Sequence, residues 1–370
     1  MKNIITDKNN WQTKKLGELC DITTGNSNTV DAVSDGQYAF FDRSKIIKRS
    51  HNFLFDSEAL IIPGEGAEFF PRYYSGKFNL HQRAYALLNF NKNTNVKFVE
   101  YFLIFEHKYF ERVAVGATAK SLRRRHFEDL EIPLPPLPEQ HRIVKILDEV
   151  FENITEAKEN AEKNLQNSKD LFESYLQNVF AKKGNGWEEK TLGEVCRYDK
   201  TPYKKSNLPY VGLEDIESNS GKFLGSLDSK KVKSNTFHFT PEHVLYGRLR
   251  PYLNKVLLPD FEGHCSTEIF PIKPSKDLYR GFLFFWLISK KIVKKINATW
   301  TGARMPRANM NEVLDFIIPI PSISEQKSIV AKLDALSEQT KKLEEIYKQK
   351  LADLEELKKS VLKKAFSGEL

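Results

Sequence analysis

The chain has 370 residues, of which 40% are hydrophobic and 29% charged, with 26 Phe and 14 Tyr; that aromatic load excludes a disordered chain, and the length predicts two or three folding units. Lys and Arg outnumber Asp and Glu by 57 to 49, a net charge of +8, so an anionic partner is the first class to test. The longest apolar run, Phe282 to Ile288, falls far short of the roughly 20 residues that span a bilayer, and the first residues lack an apolar signal core, so a soluble, cytosolic protein is expected.

In chain order, Trp11-Gln-Thr-Lys-Lys-Leu-Gly-Glu-Leu-Cys20 opens the first half, and Trp187-Glu-Glu-Lys-Thr-Leu-Gly-Glu-Val-Cys196 repeats it 176 positions later. Glu188-Glu189-Lys190 contains the ExK of many nucleases, but the first copy reads Gln12-Thr13-Lys14, which favours plain surface charge. Cys20, Cys196 and Cys265 form no CxxC pair, which argues against a disulfide framework and for core positions. Runs such as Ala59 to Ile62, Tyr85 to Phe90 and Lys255 to Leu258, broken by Gly, Asn, Asp and Pro, predict short strands. Lys97 to Phe110 and Arg280 to Ile296 predict one helix each. The mixture specifies α/β or α+β globules.

A second match joins Pro133-Leu-Pro-Pro-Leu-Pro-Glu-Gln140 to Pro319-Ile-Pro-Ser-Ile-Ser-Glu-Gln326, 186 positions on, and this register continues without a gap through Leu176 with Leu362 and Phe180 with Phe366. A period this long is no solenoid repeat. Ile143, Leu147, Val150, Ile154, Ala157 and Ala161, then Leu165, Ser168, Phe172, Tyr175 and Val179, recur every three or four positions between charged residues, as do their equivalents from Ile329 to Ala365. Such spacing predicts two long helices, each with one narrow apolar seam that needs a partner. Gly184 and Gly368 end them, and Ser322 with Glu325 is a candidate capping box. The expected division is a globule over 1–138, a helix over 139–184, a second globule over 185–324 and a second helix over 325–370. The basic excess lies in the globules, and the helices are close to neutral.

No Walker loop, GxGxxG, HExxH, GxSxG or adenine-methyltransferase signature occurs, and the histidines lack metal-ligand spacing, so neither a catalytic site nor a metal site is expected. The globules instead interleave cationic and polar side chains with aromatics. The first offers Arg43, Lys45, Arg72, Tyr73, Tyr74, Lys77, His81, Gln82 and Arg83; the second offers Tyr210, Arg248, Arg250, Tyr252, Asn254, Lys255, Ser266, Thr267 and Glu268. Arg and Lys neutralise phosphates, Arg, Gln and Asn bond base edges in pairs, and Tyr contacts sugar or stacks. The bland alternative for each is a solvated loop beside a strand. A glycine turn at Gly116 recurs at Gly302, each before a short helix, and makes Thr118, Lys120, Arg123, Arg124, Arg304 and Arg307 candidates for holding phosphate, against a plain helix cap.

The duplicated WxxKxLGExC segment, the two proline-rich turns ending in Glu-Gln, the long helices and the final Ala365-Phe-Ser-Gly-Glu-Leu370 resemble, over essentially the whole chain, the DNA-specificity subunits of type I restriction-modification systems. Tyr210 to Asp215, Val244 to Lys255 and Cys265 to Glu268 resemble one common class of target-recognition domain, from which the first globule departs. The resemblance implies two pseudo-symmetric α/β (α+β) target-recognition domains separated by two long antiparallel coiled-coil helices. It implies a non-catalytic subunit whose domains each read half of an asymmetric, bipartite site on double-stranded DNA, with helix length setting the spacer. Two methyltransferase (modification) subunits are the implied partners, with restriction/translocase subunits in the full complex. The helices' outer faces and the Glu139-Gln140 and Glu325-Gln326 turns are the candidate docking surface. No cofactor is expected on this chain; S-adenosylmethionine and ATP with Mg are implied for the partners, in a prokaryotic cytoplasm. A coiled-coil adaptor that touches no DNA is the alternative, disfavoured by where the basic excess lies, and a free-standing DNA enzyme is disfavoured by the empty motif search.

Overall fold

The computed structural model describes residues 11–117, 120–181, 184, 186–204, 207–302 and 304–370, and the chain divides into two units, Met1–Ala161 with Gln349–Leu370, and Glu162–Lys348. The first unit runs β1 (Gln12–Lys15), α1 (Leu16–Leu19), β2 (Asp21–Thr24), β3 (Tyr38–Phe41), β4 (Lys48–Ser50), β5 (Phe55–Pro63), β6 (Arg72–Leu80), β7 (Ala84–Leu88), α2 (Val96–Phe105), α3 (His107–Val113), α4 (Arg124–Glu128), β8 (Glu131–Leu134) and the first part of α5 (Leu137–Ala181). One mixed sheet has the order β2-β7-β5-β6-β3-β4, with β3 parallel to β6, and β1 pairs with β8.

The second unit takes the rest of α5, then β9 (Glu188–Thr191), α6 (Leu192–Val195), β10 (Cys196–Tyr198), β11 (Pro202–Tyr203), β12 (Tyr210–Val211), β13 (Thr236–Phe239), β14 (Val244–Gly247), β15 (Val256–Leu257), β16 (Gly263–Ser266), β17 (Ile269–Pro274), α7 (Arg280–Ile288), α8 (Lys290–Ala298), α9 (Met310–Leu314), β18 (Ile317–Ile320) and the first part of α10 (Ile323–Ser367). Its sheet β10-β17-β14-β15 repeats β2-β7-β5-β6, and β9 with β18 repeats β1 with β8. The remaining strands form a separate sheet, β11-β13-β16-β12. The globules therefore share a framework where their sequences share little.

The repeated WxxKxLGExC segment builds the same corner twice. Leu16 and Leu19, and Leu192 and Val195, are buried from one-turn helices, and Cys20 and Cys196 follow as buried free thiols, each pushed up to about 12, mainly by burial. The Trp187 indole donates to Glu325 Oε1 at 3.0 Å. Ser322 Oγ accepts from the Glu325 amide at 3.3 Å, so half of the expected capping box forms and the glutamate serves the tryptophan instead.

The single helices expected over 97–110 and 280–296 are each two helices. The first breaks at Glu106 and the second at Ser289, whose ψ of 135° is extended. The carbonyls freed at the second break find side chains: Ser289 Oγ donates to Trp286 O at 2.7 Å and Asn254 Nδ2 to Ile288 O at 3.3 Å. A local apolar pattern continues across such a break, so periodicity alone does not mark it.

Both long helices have 45 residues, about 67 Å at 1.5 Å per residue. Gly368 ends α10 at φ 73°, with the Glu369 amide reaching Lys364 O at 2.9 Å, the left-handed stop that glycine permits without strain. In the first unit the two helices run antiparallel, since Lys158 pairs with Glu355 and Lys358 lies over Phe151. The seam departs from expectation in both helices: on α5 Tyr175 is exposed and Leu176 is buried in its place, and on α10 Leu343 is exposed.

Gln140 and Gln326 are fully buried and bonded alike. Gln140 Nε2 donates to Asn93 O and Pro135 O and its Oε1 accepts from the Asn95 amide; Gln326 does the same with Asp277 O, Pro321 O and the Tyr279 amide. These glutamines are internal latches between a helix start and the preceding domain, so they are not part of a docking surface. Buried polar groups left unpaired are costly, which explains a fixed Glu-Gln after each proline-rich turn.

The far ends of the helices complete the cores. Leu362, Ala365 and Phe366 belong to the first unit's core, where the Phe366 ring meets Phe98, Phe102 and Phe105 at 5.3–5.4 Å. Leu176 and Phe180 hold the equivalent place in the second unit, with Phe180 on Phe282 at 5.1 Å. No described helix is long and apolar enough to cross a membrane. Phe366→Ala should destabilise the first unit by about 3–5 kcal/mol, read as a lowered denaturant midpoint; an unchanged midpoint would show that α10 does not contribute to this core.

Candidate nucleic-acid interface

In each unit the strand that leaves the sheet centre is stitched to the glycine turn by the same backbone bonds. In the first, Gly64 N donates to Arg83 O at 2.9 Å, Leu122 N to Gly64 O at 2.8 Å and Gly66 N to Lys120 O at 3.0 Å. In the second, Arg248 N donates to Glu268 O at 2.9 Å, Ala308 N to Arg248 O at 2.9 Å and Arg250 N to Pro306 O at 2.7 Å. The turns close through reciprocal bonds between Val115 and Ser121 and between Thr301 and Arg307. The described residues inside these closures, 116, 117 and 120 in one unit and 302 and 304–306 in the other, thus hold equivalent places, each beside the end of β5 or β14.

Around the first loop the structure gathers several candidates on one carboxylate. Glu65 accepts from Arg43 Nη1 at 2.8 Å and from Arg83 Nη1 at 2.9 Å. Burial alone raises this carboxyl, but the bonds and charges of Arg83 and Arg43 outweigh it and hold it below the ordinary range. Arg43, Lys45, Glu65 and Arg72 line one cleft of about 410 Å³. Arg72 donates to Ser44 O and Asp42 O, both at 3.0 Å, and so braces the turn that carries Arg43 and Lys45. Lys45 itself pairs with Glu68 at 2.6 Å.

The other first-unit candidates are dispersed. Tyr73 donates to Glu58, a bond that pushes its phenol up to about 12, and its amide bonds Glu100, away from the cleft. Tyr74 packs edge-on against Phe41 and Phe78, and Lys77 lies over Phe53. His81 is buried and accepts the Arg83 amide, with its pKa lowered by burial and then by Arg43. Gln82 is exposed and bonds Asn28. Lys120 donates to Glu111 O, Arg123 is exposed at the cap of α4, and Arg124 pairs with Glu128. Thr118 lies outside the described residues.

In the second unit Glu268 is the meeting point. Arg248 Nε donates to it at 2.9 Å, and Arg307 grips it through Nε at 3.0 Å and Nη2 at 2.8 Å. Burial again works to raise this carboxyl, and the Arg307 bond and Arg248 charge hold it below the ordinary range. Ser266 Oγ accepts the Glu268 amide, and Thr267 is half-buried between them. Arg250, Tyr252 and Arg304 are exposed. Arg250 and Asn254 take left-handed φ values of 53° and 46° on either side of the Pro251–Leu253 turn. Asn254 is buried at the end of α7, and Lys255 turns inward to Leu213 O at 2.6 Å and Ile216 O at 2.9 Å. Tyr210 lies under Lys230 and against His264. Glu65, Ser121 and Asp42 were not singled out from sequence; the 186-residue register that joins Gly116 to Gly302 also joins Ser121 to Arg307 and could have found Ser121, but it carries no signal for Glu65 or Asp42.

Glu188-Glu189-Lys190 forms β9 against β18, with Lys190 paired to Glu188 at 3.0 Å. Among the described residues no group of three or more His, Cys, Asp or Glu is placed to hold a metal ion.

A family model for the type I restriction modification DNA specificity domain matches residues 8–165 and again 184–355. The chain is 26% identical over 97% of its length to the type I restriction enzyme EcoDI specificity subunit of Escherichia coli, covering 88% of that protein. It is 22% identical over 97% of its length to the MjaVIII specificity subunit of Methanocaldococcus jannaschii, covering 93% of it. The fold is shared with a chain from a solved structure of a type I R-M system (TM-score 0.71, 19% identity, 98% of each chain) and with the HsdS subunit of Thermoanaerobacter tengcongensis (TM-score 0.55, 18% identity, 98% and 97% covered).

Because Glu268 is held below its unfolded value, its contribution to stability is fully present above about pH 4.3 and is lost as pH falls through the lower folded value. Glu268→Gln should therefore melt below the parent at neutral pH, with the gap closing in acid. Melts taken from neutral pH down to about pH 3 check this, and a gap that stays constant would contradict the pairing.

Proposed function

The chain belongs to the type I restriction-modification DNA specificity family, as a non-catalytic specificity subunit with two copies of the family's domain, and from that premise we propose that each copy reads one half of an asymmetric, bipartite site on double-stranded DNA. The observation that carries this reading is a single framework built twice with unlike side chains at the same places, the strand end after β5 or β14 and the loop at 116–120 or 302–306. A common scaffold aims two readers alike, and unlike side chains make the two halves of the site differ.

We assign phosphate and base contacts to the cationic side chains around those loops: Arg43, Lys45, Arg83 and Lys120 in one domain, and Arg250, Arg304 and the exposed Tyr252 in the other. The target-recognition domains are 1–138 and 185–324, and the helices over 139–184 and 325–370 set the length of the unread spacer, as half-site separation follows the geometry of dimeric readers. Exposed Leu171 and Tyr175 on α5 and Leu343 and Ile346 on α10 support the helices as the docking face for two modification subunits. In this reading S-adenosylmethionine serves those methyltransferases, ATP with Mg serves restriction/translocase subunits, this chain holds neither, and the assembly works in a prokaryotic cytoplasm.

Two measurements test the proposal. Replacing residues 187–318 with the matching block of a relative should change one half-site in the methylome of cells carrying the whole system and leave the other intact; a simultaneous change in both would refute modular reading. Binding of the complex to its duplex should weaken by about 10³-fold or more between 50 and 200 mM salt if six or more phosphates are contacted; a salt-independent affinity would favour an adaptor that touches no DNA.

A further inference from the structure

The two loops are held by ion-pair hubs of opposite polarity. Pro63 pairs with Ala84 in one sheet and Gly247 with Ile269 in the other, so Arg83 and Glu268, each one residue before these partners, occupy the same position in the framework. The backbone bonds from Gly64 to Arg83 and from Arg248 to Glu268 fix the same equivalence. On the facing strand end the carboxylate is Glu65 in the first unit and the cation is Arg248 in the second. On the loop arm Ser121, which bonds Glu65 at 3.5 Å, is replaced by Arg307, which grips Glu268 at 2.8 Å. Both glutamates are largely shielded, with side chains 18% and 21% exposed, where a charge needs its partner and its geometry is fixed by it.

Building on the DNA-reading proposal above, we propose that Glu65 and Glu268 are positioning residues: each locks its loop to its strand end, and the reversed polarity means that strand end, loop and hub are exchangeable between domains only as a set. Arg248 and Arg307 then act mainly by holding Glu268, and the reach to DNA falls to Arg250, Arg304 and Tyr252, which the hub keeps in place. The framework itself does not depend on the hub, since the backbone bonds that stitch the loop are the same under either polarity.

The test is selection of bound sequences from a pool of random duplexes by the full chain assembled with its modification subunits. Wild type should enrich two half-sites; if it enriches none, the DNA-reading proposal fails and this inference falls with it. Glu268→Gln should blur only the half-site assigned to the second domain and weaken binding to the selected duplex by about tenfold or more, the scale of losing a charge-assisted hydrogen bond. The sharp first half-site serves as the internal control that the protein is folded. Importing the first unit's polarity, R248G with L249E, E268R and R307S, should restore the second half-site to within a few-fold. An unaltered half-site in Glu268→Gln would overturn the proposal. A blurred half-site that the four-residue exchange fails to restore would also overturn it, in favour of Arg248 and Arg307 contacting bases themselves.

Discussion

A 45-residue helix with one apolar seam is stable only where that seam is covered, and in this chain the covering is done by the domains as much as by the other helix. The start of each helix is latched by a buried glutamine, Gln140 or Gln326, to the domain that precedes it. The end of each is plugged by a phenylalanine into a core: Phe366 into that of the first unit, Phe180 into that of the second. Each core therefore needs both helices, one by its first turns and one by its last. The repeat is symmetric in this respect, because the latch and the plug are the two places where the 186-residue register is strictest.

This arrangement separates what must stay constant from what is free to vary. The latch and plug lie at the helix ends, the paired strands β1 with β8 and β9 with β18 tie the chain in at the base of each domain, and the loops that differ stand at the far side of the framework strands. Among the described residues, no side chain of those loops belongs to either large core, so their chemistry can change with little cost to the cores. The inverted hubs at Glu65 and Glu268 illustrate the point, since one backbone stitch accommodates a carboxylate on the strand end in one domain and an arginine in the other.

Much of the framework was legible in the residues. The duplicated helices, their seam and the strands around Ala59 to Ile62 and Tyr85 to Phe90 follow from periodicity, a local property. The breaks at Glu106 and Ser289 were not legible, because the apolar pattern runs on across them; at the second, one freed carbonyl is satisfied by Asn254, a side chain distant in sequence. The exchange of Tyr175 for Leu176 in the seam has the same origin: near the end of α5 the face that matters is the one toward the second domain's core, which the helical pattern does not encode.

The candidate site divides along the same line. Composition and motif alone brought forward the cationic loops, the repeated glycine turn and the absence of catalytic signatures, since these depend on residue type and order. Which of those side chains meet was decided by tertiary structure. Asn254 and Lys255 turn inward to bond backbone carbonyls, Arg72 braces a turn, and Arg248 and Arg307 converge on Glu268 across 20 and 39 residues of chain. A linear pattern records which charges are available, but pairing between them is set by sheet register and loop closure, and neither exists until the strands have come together.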